Sequence, residues 1–555
     1  MFLRRKLSAI LVCATVLAPS LGAAPVAAQT PAQTPAKTPA QTPAQTPAQT
    51  PAQTPTRGGT LEFAVVGWPN TLDCHAATSY AVLHYVSPHY SLLVKFDQDR
   101  YPNVKGDVAE SWQVSPDGRT YTFRLRPNVI FHDGTPLTSA DVKASFERVW
   151  RPPAGVFSAS QSLFSALAAI EAPDPATIVF RLSRPQSYFL AVIAYPANCI
   201  YSAARLAADP TQPSKEIMGT GPFVHGEHVQ GSHWTGRRFD RYFLPDRPLL
   251  DGYRALAFSQ NSAVATALQS GQVLAEFRGF APPVRDRLKA AMGDKLTAQE
   301  STWALSIALT FNTERAPFGD ARVRRALNMA IDRWTGAKSL AKIASLRAVG
   351  ATQRPGSPWA ATDEELAALP GFARDMDKAR IEARRLLVEA GHPNLKFKLI
   401  NRSIPDPYSP IGIFLLDQWR RIGVEVEHAP TELRAYDAAR SSGEFEAMLE
   451  FTNALVDDPE LELIKYVSRD RSQLNIARYI DRELDGLFDR ITASPGDKER
   501  RALTRAFETR LYDQSYMMPV FWSERISLMS SRVKGWRITP SHLVNQDLVD
   551  VWLAP

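Results

Sequence analysis

The sequence predicts an α/β protein of two or three lobes, and three observations carry that expectation. About five hundred residues from Arg57 onward have ordinary globular composition, enough for more than one core. Before Trp303, segments rich in β-branched and aromatic residues are separated by turn signals. After Trp303, strands alternate with amphipathic helices, the pattern of a mostly parallel sheet with helices on both faces.

The chain opens with Arg4, Arg5 and Lys6, an apolar run from Leu7 to Leu17, and small residues up to Val26-Ala27-Ala28. This reads as a secretory signal over residues 1–28, cleaved before Gln29. The apolar run is too short to span a bilayer. Cys13 follows Val12, where lipid attachment wants a small residue, so a soluble periplasmic protein is expected. Residues 29–56 are near-perfect "QTPA" repeats with nothing to bury, which reads as a disordered linker.

The formal charge is +7, and loss of the three basic residues of the signal leaves +4. Basic and acidic residues are interleaved, as in "DARVRRALNMAIDR" and "DKARIEARRLL". That pattern fits solvated helix faces better than a nucleic-acid groove. Cys74 and Cys199 remain after signal cleavage, and their spacing alone does not decide whether they pair.

"GGTLEFAVVGWPNTLD" is a glycine-led strand ended by Pro69, followed by "YSLLVKFDQD" and "YTFRLRPNVIFHDG" with a hairpin turn, "SPDG", between them. In "FHDGTPLTSADV", Asp133-Gly134 makes a turn, and Thr138 with Asp141 forms an approximate capping box. His132 and Asp133 point to opposite faces of an extended chain, so the cluster is punctuation and not a metal site. In "MGTGPFVHGEHVQGSHWTGRRFDRYF", His225 and Glu227 are expected on one strand face and His228 on the other, again without a metal.

Beyond Trp303 come strand "ALSIALTFN", helix "DARVRRALNMAIDR", helix "DKARIEARRLLVEAG", strand "LKFKLI", helix "PIGIFLLDQWRRIG", strand "VEVEH", helix "RAYDAARSSG" and strand "EFEAMLEF". Ligands of such sheets sit beyond the carboxyl ends of strands. The loops "NRSIPDPYSP" after Ile400 and "TNALVDDP" after Phe451 are therefore the candidate site loops.

In this order the segments resemble the family 5 extracellular solute-binding proteins, the dipeptide-, oligopeptide- and nickel-type receptors of ABC importers. The resemblance rests on "GDVAESWQVSPDGRTYTFRLRPNVIFHDGTPLTSADV", "GTGPF", "FNTERAPFGDARVRRALNMAIDR", "LLVEAGHPN", "LLDQWRRIGVEVE", "LNIARYIDRELDGLF" and "PVFWSERISLMSSRVKGW". It implies a two-lobed periplasmic-binding-protein fold with an extra subdomain in the N-terminal half. Lobe I would comprise residues 57–303 completed by 524–555, and lobe II residues 304–523. Hinge crossings would fall near 304–312 and 516–524. It further implies a receptor that hands a small polar solute, a peptide, modified peptide or sugar-acid conjugate, to an ABC permease and ATPase complex. The expected protein is a monomer with no cofactor, metal or nucleic-acid partner.

The competing class is a secreted hydrolase. The chain has no G-x-S-x-G and no H-E-x-x-H, and the S-x-x-K match Ser339–Lys342 lacks a K-T-G partner. Candidate ligand residues are Trp68 and Tyr80 after the first strand, Trp303 before the hinge, and Arg402, Asp406 and Tyr408 in the first candidate loop. Asn453 and Asp457 in the second loop and Trp522 on the returning strand complete the set. Arg402 offers a guanidinium fork for a carboxylate or phosphate. Peptide-binding members resemble one another at a Gly-Trp pair and an aspartate that holds the peptide's α-amino group. Ungapped alignment on Asp458-Pro459 puts Leu455 at that aspartate, unless a loop shift lets Asp457 replace it. The expected ligand therefore lacks a free α-amino terminus, as in a modified peptide or a sugar-acid conjugate.

Overall fold

The computed structural model describes residues 54–77, 80–404, 406–453, 457–494 and 496–555, without the side chain of Asn453. Residues 1–53, where the secretory signal and most of the repeats are expected, lie outside the described residues. Residues 55–555 pack as one unit around an eleven-stranded sheet. Its strands are β1 (Thr60–Val66), β2 (Phe223–Val229), β3 (His233–Arg238), β4 (Gly252–Phe258), β5 (Ala275–Glu276) and β6 (Leu296–Phe311). They continue with β7 (Leu346–Ala348), β8 (Lys396–Arg402), β9 (Glu425–Thr431), β10 (Ala447–Asn453) and β11 (Met517–Ser530). The spatial order is β9-β8-β10-β6-β11-β5-β1-β4-β3-β2, with β7 added to β11.

The sheet is mixed, where the alternation of strands and helices predicts a mostly parallel one. Parallel pairing is confined to two trios, β1 with β4 and β5, and β8 with β9 and β10. Between the trios run β6 and β11, sixteen and fourteen residues long and antiparallel to each other. These strands carry the chain out of one trio and back to it, so they oppose their neighbours β10 and β5. β11 is buried at every position but the last, as a strand covered on both faces must be.

Separate hydrophobic cores flank this pair. Two consist of residues between Ile307 and Phe521, including Leu327, Trp419, Phe488 and Phe507. Two others combine residues from Leu61 to Leu296 with Ile526–Val551. A further core underlies the extra subdomain, an antiparallel sheet of Ala109–Val114, Thr120–Leu125, Thr177–Leu182 and Leu167–Asp174 covered by the helix Ser139–Trp150. Here "SPDG" turns the chain between Ala109–Val114 and Thr120–Leu125. The segment Val94–Phe96 pairs instead with Val104–Gly106 in a separate ribbon.

The punctuation of "FHDGTPLTSADV" forms as expected. Asp141 Oδ2 accepts the Thr138 N–H at 2.7 Å, and the His132 ring packs its Nε2 3.0 Å from the Gly221 carbonyl. The β2–β3 hairpin differs. A bulge between His225 and His228 brings both imidazoles to one side, Nε2 to Nδ1 at 3.1 Å, with His228 stacked on Trp234. The extra residue of a bulge reverses the alternation that the sequence pattern assumes. Ser339 and Lys342 are exposed on and just after the helix Arg333–Leu340.

Cys74 and Cys199 form a disulfide across a separation of 125 residues, tying the segment after β1 to the subdomain. Beside it, Arg148 pairs with Asp73 at 2.6 Å in a buried site that also holds His75 and Tyr201. Closing a loop of that length restricts the unfolded chain by about 4–5 kcal/mol. Replacing both cysteines with serine should lower the unfolding free energy by that order. Urea denaturation should show the same loss for the unmodified protein under reductant, and no reductant effect in the double variant.

Candidate functional site

The register of β6 and β11 places the site. The trio around β1 runs antiparallel to β11, since Ala275 faces Met529 and Glu276 faces Leu528, so its carboxyl ends point toward Arg525 and Glu524. The trio around β8 arrives from the other side, with Thr452 opposite Ser306 and Asn453 opposite Leu305. Between Thr302 and Ser306 the β6–β11 pairing loses register. Both sets of carboxyl ends therefore converge on one irregular crossing, the position where open α/β sheets bind ligands.

On the first side, Tyr80 begins the helix Tyr80–Val86 and donates its hydroxyl to the Val66 carbonyl at the end of β1, 2.7 Å away. Trp303 donates its indole N–H to His542 Nδ1 at 3.1 Å. Between them lies Arg278, just beyond β5, its guanidinium carbon 4.1 Å from the Tyr80 ring centroid and 5.7 Å from that of Trp303. Glu276 accepts the backbone N–H groups of Arg278 and Gly279, each at 2.8 Å. Arg525 is fully buried and donates to the carbonyls of Phe277, Arg278, Thr539 and Ser541. Burial, with Arg525 and Arg278 adding to it, pushes His84 down to about 3. Burial and the same arginines hold His542 well below its ordinary value, so both imidazoles are neutral. Trp68 is half-buried and sits against Tyr85 and Trp234, at the edge of a core.

On the second side, Arg402 ends β8. Its Nη1 donates to the Tyr408 hydroxyl at 3.1 Å, and its guanidinium lies 5.3 Å from the Tyr408 ring and 6.0 Å from that of Tyr436. Tyr408 packs edge-on against Phe451, and burial raises its phenol to about 12. Asp406 accepts from the Ser345 N–H and hydroxyl, which pins the loop to the segment before β7. Asp457 is buried in a bidentate pair with Arg354, whose Nη2 is 2.6 Å from its Oδ2. The side chain of Asn453 and the whole of Leu455 lie outside the described residues. Trp522 is fully buried, with its indole N–H on the Ala351 carbonyl at 3.0 Å, because β7 covers it. Its backbone pairs with Ser306 at the register break, while its side chain packs within the fold.

The structure thus brings Tyr80 and Trp303 into one cluster and Arg402 and Tyr408 into another. Sequence reasoning misses Arg278, His84, His542, Glu276 and Arg354. Their partners are up to 458 residues away, as for His84 and the His542 carbonyl, and no local pattern marks them. The phrase "EFRGF", a cation between phenylalanines after a two-residue strand, is the signal that was available for Arg278.

The neutral His84 has a consequence for stability. The folded protein refuses a proton that the unfolded chain takes up below about pH 6.5, so the contribution of this residue falls as pH drops from there toward 3. Between pH 7.5 and 4.5 the loss should be about 3 kcal/mol. His84→Gln should flatten that part of the profile in urea-denaturation midpoints, and a profile parallel to the unmodified protein would contradict the assignment.

Comparison with known proteins agrees with this architecture. Residues 103–473 match the family model for bacterial extracellular solute-binding proteins, family 5. Heme-binding protein A of Haemophilus influenzae is 28% identical over 492 residues, covering 81% of this chain and 84% of the relative. Glutathione-binding protein GsiB of Escherichia coli K12 is 26% identical over 459 residues, covering 80% and 86%. Among solved structures, the periplasmic binding protein AgaA of A. tumefaciens R10, in complex with agropinic acid, superposes with a TM-score of 0.72. It is 25% identical, over 90% of this chain and 99% of that one. With its two lobes joined through β6 and β11, the chain belongs to the bacterial extracellular solute-binding proteins of family 5.

Proposed function

We propose that this family 5 protein is an exported periplasmic receptor that closes over a polar solute at the β6–β11 crossing and hands it to an ABC permease and ATPase complex. Residues 1–28 are the export signal in this reading. Hinge bending falls at 304–312 and 516–524, between lobes formed by 57–303 with 524–555 and by 304–523. The observation that carries the reading is the convergence of both parallel trios on the register break between Thr302 and Ser306. A break in a two-strand connection is where two rigid bodies can rotate, and a ligand that touches both favours the closed state. The Cys74–Cys199 disulfide supports an oxidising compartment.

The solute on this reading is a modified peptide or sugar-acid conjugate without a free α-amino group. The relatives give a chemical range, with glutathione, heme and agropinic acid in their names or complexes. Support comes from Asp457, whose carboxylate is already saturated by Arg354, and from Asp406, which is held by Ser345. Neither offers an open carboxylate to an ammonium.

Protein released from its source periplasm should carry a retained solute in native mass spectrometry, and a chain that never retains or imports one would contradict the receptor reading. The true solute at a hundred times its Kd should stabilise the fold by about 2.7 kcal/mol in a thermal-shift measurement. Unmodified di- and tripeptides should give little shift. Asp457→Asn should cost about 3–5 kcal/mol of stability by stranding Arg354. Strong shifts with free peptides that vanish in this variant would instead assign Asp457 to the amine.

A further inference from the structure

We infer that Arg278 is the lobe I anchor for an acidic group of the solute, so that the receptor selects carboxylate- or phosphate-bearing ligands. This rests on the receptor reading above and names the ligand class of the same site. Arg278 is half-buried at the convergence point, and its Nε is buried without a hydrogen-bond partner. Among the described residues no carboxylate lies within ion-pair distance of it, whereas three other buried arginines have acceptors for their guanidinium groups, even though a partnerless buried Nε also occurs at Arg333 and Arg505. Arg148 and Arg354 have aspartates, and Arg525 has four backbone carbonyls.

The surroundings hold this guanidinium in place without neutralising it. Glu276 uses both oxygens on backbone N–H groups, and Arg525 takes the Arg278 carbonyl. Tyr80 stacks on the guanidinium face and leaves the planar edge for an acceptor. Counting Arg278, Arg525 and Glu276 with neutral His84 and His542, the cluster holds a surplus positive charge. A partly desolvated cation without a counter-ion is costly, and a bidentate acid group is the partner that a fixed fork fits best. Arg402, also with a partnerless buried Nε, presents a second cation from the opposite trio.

The test titrates the mature chain with succinate and, at matched ionic strength, with the uncharged succinamide, following thermal midpoint and calorimetric Kd. The expected result is binding of succinate and none of succinamide. Arg278→Lys should weaken succinate about tenfold or more, and Arg278→Met should abolish it. Ligand-free Arg278→Met should melt no lower than the unmodified protein, because it removes an unpaired cation. Equal responses to acid and amide, unchanged succinate binding in Arg278→Met, or a ligand-free midpoint several degrees lower in that variant would each overturn the assignment. Native mass spectrometry separates the two readings. A retained solute without an acid group refutes the role of Arg278 and leaves the receptor intact. Discrimination of succinate by a chain that neither retains nor imports any solute refutes the receptor and keeps the anion site.

Discussion

The antiparallel pairing of β6 with β11 is the constraint on which the rest of the structure depends. Two strands buried along most of their length can join two parallel trios only by running against both. That orientation turns the carboxyl ends of the trios toward each other. It also forces polar side chains of a buried strand to find partners. Arg525 reaches four carbonyls, Glu524 takes Arg347, and Ser527 donates to the Glu276 carbonyl. The clamp on the segment Glu276–Gly279, and hence the aim of Arg278, follows from burying Arg525.

Charge is distributed unevenly around the crossing, and the distribution explains what the site can hold. Carboxylates near it are committed, Asp457 to Arg354, Asp406 to Ser345, Asp458 to Arg500 and Glu450 to Arg440. Glu460 reaches back to Arg184 and Tyr188 of the subdomain, linking the two halves of the chain. Among the described residues, the guanidiniums of Arg278 and Arg402 at the trio ends have no carboxylate partner. Buried ion pairs contribute little net stability but are costly to break, so the committed pairs hold their loops in one geometry while the free cations remain available.

Much of the secondary structure was legible. Helices Ala321–Met329, Met376–Glu389, Tyr408–Arg420 and Leu433–Ser442 and strands β8, β9 and β10 follow from apolar periodicity and turn residues. So does the capping box of Thr138 and Asp141, whereas Arg402, expected in the loop after Ile400, is the last residue of β8. Less legible was anything requiring one extra residue or a distant partner. The bulge in β2 moved His228 beside His225 against the alternation rule, and β7, a three-residue strand, sealed Trp522 inside the fold.

The sequence by itself determined which segments are strands and helices, because spacing, caps and turn chemistry act over a few residues and need no knowledge of the return path. It also identified the carboxyl ends of β8 and β10 as the place to search. Only tertiary structure decided the partners. The Cys74–Cys199 bridge, the Arg354–Asp457 pair and the Tyr80–Arg278–Trp303 stack join residues roughly one hundred or more positions apart at their extremes. Which of many charged or aromatic side chains meet is set by how two long strands bring separate lobes together. That energy belongs to the assembled sheet and to no local segment of the chain.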